Sequence, residues 1–297
     1  MRIALGERAL GADAPALVVA EIGSNHDGSL ERALALVDLA ARAGADGVQF
    51  HSFHAAALPL EPGPDGGSVA AEVHRQLERA ELRTEWHAPL RERALARGLV
   101  FLSIAFDAQR AELLAALGVP AIAVASRDLG RAPLLRTLGG FGRPLLLATG
   151  GAAESEIAAA LAAIGEGAGA PSRRPPVVLV AGPDGARSED ADLRTLGTLR
   201  TRFGCPVGWT DRSPGSALAL GAVTLGACFV VKGLTDDRGR RGPDHATALE
   251  PGDLAAVVRA VRELGYALRP APRNASGVGR EGDVPAAAKR GFGSRAG

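Results

Sequence analysis

Polar and ionisable side chains gather at one recurrent place in this sequence, at or just beyond the ends of short apolar runs. Glu21, Asn25 and His26 hold it first, then Gln49 and His51, Ser103 and Asp107, and Ser126 with Arg127 and Asp128. Thr149, the trio Thr210, Asp211 and Arg212, and Lys232 hold it in later runs, and Asp244 and His245 follow in RGPDH. A carboxylate and an imidazole suit proton transfer, so Glu21 is expected to act as acid or base with His51 assisting. Burying Glu21 without a ligand or partner would be costly, which favours a functional role over a structural one. An arginine suits a carboxylate or phosphate, and a lysine suits Schiff-base chemistry. Strand alternation points Gln49 and His51 the same way and turns Phe50 to the other face. By the same rule Lys232 lies opposite Val231 and Gly233, which marks it as a structural lysine facing the helices. His54, His74 and His87 fall in loop or helix context and are expected to be solvated. The turn ATGG could hold an anion on backbone amides, but one short glycine turn is a weak signal, and no GxGxxG, Walker loop or GxSxG occurs.

The elements that must position these groups alternate from end to end. Eight apolar runs can be counted: Leu17 to Gly23, Gly47 to Phe53, Leu99 to Phe106, Ala121 to Ser126, Pro144 to Gly150, Pro176 to Gly182, Val207 to Asp211 and Cys228 to Leu234. Helix-spaced segments such as Leu30, Leu34, Val37 and Ala41, or Leu254, Val257, Val258 and Val261, separate them. Eight strand-helix units predict an α/β fold, a closed (β/α)8 barrel of the TIM type, with its chemistry at the C-terminal ends of the strands. ARAGADGVQF, ALGVPAIAVA and TLGACFVV each predict a helix capped by a left-handed glycine. The expected domains are a barrel over 1–268 and an extended or disordered tail over 269–297. The segment after the second strand, with PLEPGPDGG, is expected as a loop and short helix over the mouth.

Bulk properties narrow the partners. The 297 residues carry 34 basic and 33 acidic side chains, a net charge of +1, so no overall field draws the chain to nucleic acid or an anionic membrane. Cys205 and Cys228 lack CxxC spacing and read as small core residues. With no signal core and no apolar stretch of spanning length, the expected location is cytoplasmic.

The phrase AEIGSNHDGSLERALALVDLAARAGADGVQFHSF resembles the opening of the N-acetylneuraminate (sialic acid) synthase barrel. FLSIAFD, LGVPAIAVASRDL, PLLLATGG, PVGWTDRSPG and RGPDHATALEPGDL extend the resemblance in order over most of residues 17 to 265. That resemblance implies condensation of phosphoenolpyruvate with an N-acetylated sugar, assisted by a divalent metal, usually manganese, in a homodimer. It implies catalytic roles for Glu21 and Asp211 and substrate contacts from Ser126, Asp128 and Asp244. Asn25, Arg127, Thr149 and Thr210 join them as substrate-binding candidates on their place at strand ends.

The departures from the pattern are grouped. Gln49 and Ala123 stand where the family has lysines that hold phosphoenolpyruvate, and Arg212 and Gly233 stand where it has metal-ligand histidines. Ala148 and Ile104 replace a serine and a threonine, VAGPDGARSED replaces a cysteine, asparagine and tyrosine phrase, and the sequence stops where an antifreeze-like domain would follow. Glycine offers no ligand atom and arginine does not give up its proton, so no metal cofactor is expected. Arg212 is instead expected to bind an anion directly. Three readings stay open: a divergent enzyme with metal-independent sugar or carboxylate chemistry, which is preferred; a catalytically silent barrel that binds a sugar or a partner; and an intact synthase whose missing groups come from other residues.

Overall fold

A computed structural model describes residues 2–11, 14–58, 68–183, 185 and 187–268. PLEPGPDGG (59–67) and the tail from 269 onward lie outside the described residues. Eight parallel strands close into a barrel: β3 (Leu17–Gly23), β4 (Gly47–Ser52), β5 (Val100–Ala105), β6 (Ile122–Val124), β7 (Leu145–Ala148), β8 (Val177–Ala181), β9 (Val207–Asp211) and β10 (Ala227–Gly233). β10 pairs with both β9 and β3, which shuts the ring without an exposed edge. The fold is the expected (β/α)8 barrel, with helices in the connections.

Alternation along each strand sorts the apolar residues into two cores. Leu17, Val19, Leu102, Leu146, Val178, Phe229 and Val231 pack inside the barrel, while Val18, Ile22, Phe50, Leu147, Trp209 and Val230 pack against the helices. Interior volumes are matched in size. A Cβ on Gly208 would stand 2.3 Å from the Phe229 ring, so the large ring occupies what the glycine leaves free.

One element was not anticipated. β1 (Ile3–Leu5) and β2 (Arg8–Leu10) form an antiparallel hairpin whose Ile3, Leu5 and Leu10 join the interior core and plug the N-terminal end of the barrel. Strands of three residues carry too little alternation to be read from sequence.

Helix α1 (Leu30–Arg42) starts at Ser29, whose side chain accepts a hydrogen bond from the Arg32 backbone N–H. It buries Ala33, Leu36, Val37 and Ala40, so the buried stripe is rotated from the expected Leu30, Leu34, Val37 and Ala41. Leu30, Leu34 and Ala41 pack at its margin. Gly44, Gly118 and Gly226 adopt φ of 81°, 71° and 93°, the left-handed caps that their three segments predicted. The final helix, Pro251–Ala267, buries Leu254, Val257, Val258 and Val261 as expected. Cys205 and Cys228 are free and buried. No helix among the described residues is long and apolar enough to cross a membrane.

Candidate functional site

At the C-terminal ends of the strands lies a cavity of about 250 Å³. Its lining divides by strand order. Glu21 of β3, Gln49 of β4, and Thr210 and Arg212 at the end of β9 form a polar half. Ile104 of β5, Ala123 of β6, Leu146 and Ala148 of β7, and Val180 of β8 form an apolar half, with Ser126 at its margin. Phe229 and Val231 of β10 line the cavity deeper in the barrel.

Glu21 is the hub of the polar half. Gln49 Nε2 donates to Glu21 Oε2 at 2.6 Å, and His51 Nε2 stands 3.7 Å from the same oxygen. The inward aim expected for Gln49 and His51 places both on this carboxylate. Burial alone would raise the Glu21 pKa, but contact with His51, the Arg212 charge and the Gln49 hydrogen bond together hold it below the usual carboxylate value. Burial alone would lower His51, yet Glu21 and then Asp244 raise it above the ordinary imidazole value. Each partner thus favours the charged form of the other, carboxylate and imidazolium. Gly23, at φ 53°, lets the chain pass close by: a Cβ there would meet His51 Cε1 at 3.1 Å and Asp244 Oδ2 at 3.2 Å.

Two arginines present cations to the mouth. Arg212 makes no ion pair with any described residue. Arg127 is exposed and stacks over the Phe106 ring at 4.5 Å, while His51 meets the same ring edge-on at 5.8 Å. Phe106 had no assigned role in the sequence reading, although the FLSIAFD phrase puts it at the end of β5.

Other candidates brace the strand ends around the cavity. Asp211 shares the helix-facing side of β9 with Trp209, where Lys232 Nζ lies 3.0 Å from its Oδ2 and the Ser213 backbone N–H and hydroxyl donate to its Oδ1. Lys232 also donates to the carbonyls of Ser213 and Gly215, so it is the helix-side structural lysine expected. Asn25 Nδ2 donates to the Leu234 carbonyl at 2.9 Å and ties the end of β3 to the end of β10. Thr149 is buried with its hydroxyl on the Val180 carbonyl. Asp128 is buried and paired with Arg131 at 2.9 Å.

The histidines need three corrections. His26 is buried against Phe50 and Trp86 on the helix side instead of joining the mouth. His245 is buried between Thr235 and Asp27. His87, expected in solvent, is fully buried, with Nε2 2.7 Å from the Ser52 hydroxyl and Nδ1 3.0 Å from the Arg83 carbonyl. Burial lowers both His26 and His87 to about 4. His54 and His74 are partly exposed and pair with Glu81 and Glu78.

The divalent metal implied by the resemblance does not fit these residues. The space among Glu21, Arg212, Gly233 and Asp244 is about 10 Å³, about one water molecule's worth. A Cβ on Gly233 would press on Ala248, 3.2 Å from its Cα, so the adjoining loop occupies the room a ligand side chain would need. The Leu249 N–H to Gly233 carbonyl bond at 2.8 Å holds that loop in place. Among the described residues no group of three histidine, cysteine or carboxylate side chains is arranged to hold a metal. The carboxylates bordering this space, Glu21, Asp211 and Asp244, share it with a guanidinium, and Asp211 is already paired with Lys232.

Comparison with known proteins agrees with the barrel and its ancestry. The chain is 30% identical to the N,N'-diacetyllegionaminic acid synthase of Campylobacter jejuni, over 88% of this chain and 79% of that one. It is 28% identical to the human N-acetylneuraminate-9-phosphate synthase, over 88% and 73%. Among solved structures it superposes on the sialic acid synthetase of Leptospira borgpetersenii, in complex with citrate, with TM-score 0.79, 27% identity and coverage of 92% and 93%. The spore coat polysaccharide biosynthesis protein SpsE of Bacillus subtilis gives TM-score 0.77 at 30% identity, covering 92% and 76%. Residues 36–271 match the NeuB family, and with the closed barrel and the ordered motifs of its strand ends, this chain belongs to that family.

Proposed function

We propose that this chain is a divergent member of its family in which the barrel mouth binds a small carboxylated or sugar-like ligand and acts on it without a divalent metal. The observation that carries this reading is the juxtaposition of the Glu21 and His51 pair with Arg212 in one cavity. Arg212 stands near Glu21 but makes no ion pair with any described residue, so a ligand anion is the natural partner for its planar, fixed charge. His51 holds a proton against the Glu21 carboxylate and is the group that would donate it to bound ligand; Glu21 keeps the imidazolium charged and orients it. Gln49 fixes the Glu21 carboxylate, and Thr210 and Ser126 supply hydroxyls at the rim. The family's phosphoenolpyruvate condensation is the parent activity from which this site departs, since neither phosphate-holding lysine position carries a cation.

A thermal-shift screen of monocarboxylates and N-acetylated sugars, with and without EDTA, tests the reading. Carboxylates are expected to raise Tm equally in both buffers. Arg212→Gln is expected to lower affinity for them by about tenfold or more, the loss typical of a charge-assisted pair. Turnover, where found, is expected to fall as pH rises through the raised His51 pKa and to vanish in Glu21→Gln without loss of fold. Ligand shifts that require manganese would refute the reading.

A second reading has the Asp211 and Lys232 pair, rather than chemistry, explaining the retained strand-end aspartate. It leaves a silent barrel that binds a sugar or a partner subunit, and ligand binding by wild-type protein with no turnover of any carboxylate would favour it.

A further inference from the structure

The division of the cavity says more about the ligand than its charge. Going round the barrel, every polar side chain facing the interior cavity comes from β9, β3 and β4, at Thr210, Arg212, Glu21 and Gln49, while Ser126 sits just past the end of β6. The opposite wall is Ile104, Ala123, Leu146, Ala148 and Val180, on four consecutive strands. A phosphate, or the hydroxyls of a sugar ring, placed against that wall would meet no side-chain partner except Ser126 at its edge, and unmade hydrogen bonds of this kind are costly. An aliphatic group there gains from leaving water. The cavity, at about 250 Å³, falls below the roughly 300–1,000 Å³ that holds drug-sized molecules, so the ligand is small.

Resting on the carboxylate-binding reading above, we infer that the ligand is a short-chain aliphatic monocarboxylic acid. Its carboxylate sits on Arg212 beside Glu21, and its apolar tail lies against Ile104, Ala148 and Val180. The inverted preference follows from the wall: the feature that excludes a phosphorylated acid is the same one that rewards a methylene.

Isothermal titration calorimetry on the full chain, with acetate, butanoate, hexanoate and phosphoenolpyruvate at neutral pH, tests this. Affinity is expected to rise about fourfold per added methylene until the tail fills the cavity. Phosphoenolpyruvate is expected to bind more weakly than hexanoate. Ile104→Thr, which shortens the side chain by one carbon, puts a hydroxyl in the apolar wall and is expected to remove the dependence on tail length; Ala148→Ser is a second, smaller change of the same kind. Equal affinity across the aliphatic series, still abolished by Arg212→Gln, would overturn the tail assignment and leave the carboxylate-binding reading standing. Tighter binding of phosphoenolpyruvate than of hexanoate would overturn it as well. No binding of any acid would overturn both.

Discussion

Acidification from about pH 6.5 to about pH 4 is expected to destabilise this barrel strongly. His26 and His87 are buried neutral, and burial lowers each from 6.5 to about 4. In that window the unfolded chain takes up a proton at each site that the folded chain refuses, so stability falls as pH falls. At 1.36 kcal/mol per pKa unit, each histidine contributes on the order of 3 kcal/mol. Two such losses compare with a total stability of roughly 5–15 kcal/mol for an ordinary domain. His51 does not oppose the trend, because its pKa is raised. Its contribution is complete below the unfolded value and is lost only as pH rises through the folded one. Glu21, being lowered, loses its contribution only as pH falls through its folded value. Urea unfolding across this range measures the slope. His26→Phe keeps ring packing on Phe50 and Trp86, gives up one hydrogen bond from the Gly28 N–H, and is expected to cut the slope by about half. An unchanged slope would show that His26 titrates normally.

Lys232→Met is expected to destabilise the protein by about 3–5 kcal/mol, the usual consequence of removing one partner of a buried ion pair. Lys232 and Asp211 have side chains 1% and 0% exposed, with 3.0 Å between Nζ and Oδ2. Burial lowers the Lys232 pKa and the Asp211 charge works against that shift. Without the ammonium, the carboxylate would be stranded in the layer between barrel and helices, and the carbonyls of Ser213 and Gly215 would lose their donor. Adding Asp211→Asn removes the stranded charge while keeping an oxygen for the Ser213 N–H and hydroxyl, so the double variant is expected to recover much of the loss. Equilibrium unfolding of the two single variants and the double variant gives the coupling directly. Additive losses would mean that the two groups act independently.

The same pair explains part of what the sequence could not disclose. Alternation placed Lys232 on the helix side, but the neighbour of Asp211 depends on register, and only the alignment of Lys232 with Asp211 across β10 and β9 makes them partners. Glu21, Gln49 and His51 were legible because they lie within strands, where the period of two holds. Asn25 and His26 were not. The pairing of β3 with β4 slips between Glu21 and Gly23, and Asp27 then turns into a positive φ of 48°, so the alternation read inside β3 no longer says where side chains past its end point.

The barrel itself was legible because eight independent strand-helix units all gave the same answer. His87 misled for a different reason. A histidine at a helix start has no sequence mark that tells a solvated ring from one buried on Ser52, whose hydroxyl in turn meets that of Ser103. The apolar half of the cavity was only partly foreseen: Ile104, Ala123 and Ala148 were noted as departures from the family pattern, but their union with Leu146 and Val180 into one wall needed the closed ring.

The loops above the mouth are held by charge. Arg32 pairs with Asp236, Arg240 reaches both Asp236 and Asp27, and His245 Nε2 stands 2.9 Å from Asp27 Oδ1. These contacts pin the loop after β10 to the loop after β3, which keeps Asp244 beside His51 and Ala248 against Gly233. The position that would take a metal ligand is thus closed by a braced loop, and a single substitution at residue 233 would not restore it.

Phosphate release from phosphoenolpyruvate and N-acetylmannosamine, measured with and without added manganese, tests the central claim most directly. The account predicts no release above the protein-free background in either condition. Manganese-dependent release that Glu21→Gln abolishes would contradict it, and would show that the residues at Gln49, Ala123, Arg212 and Gly233 have been replaced in function by others.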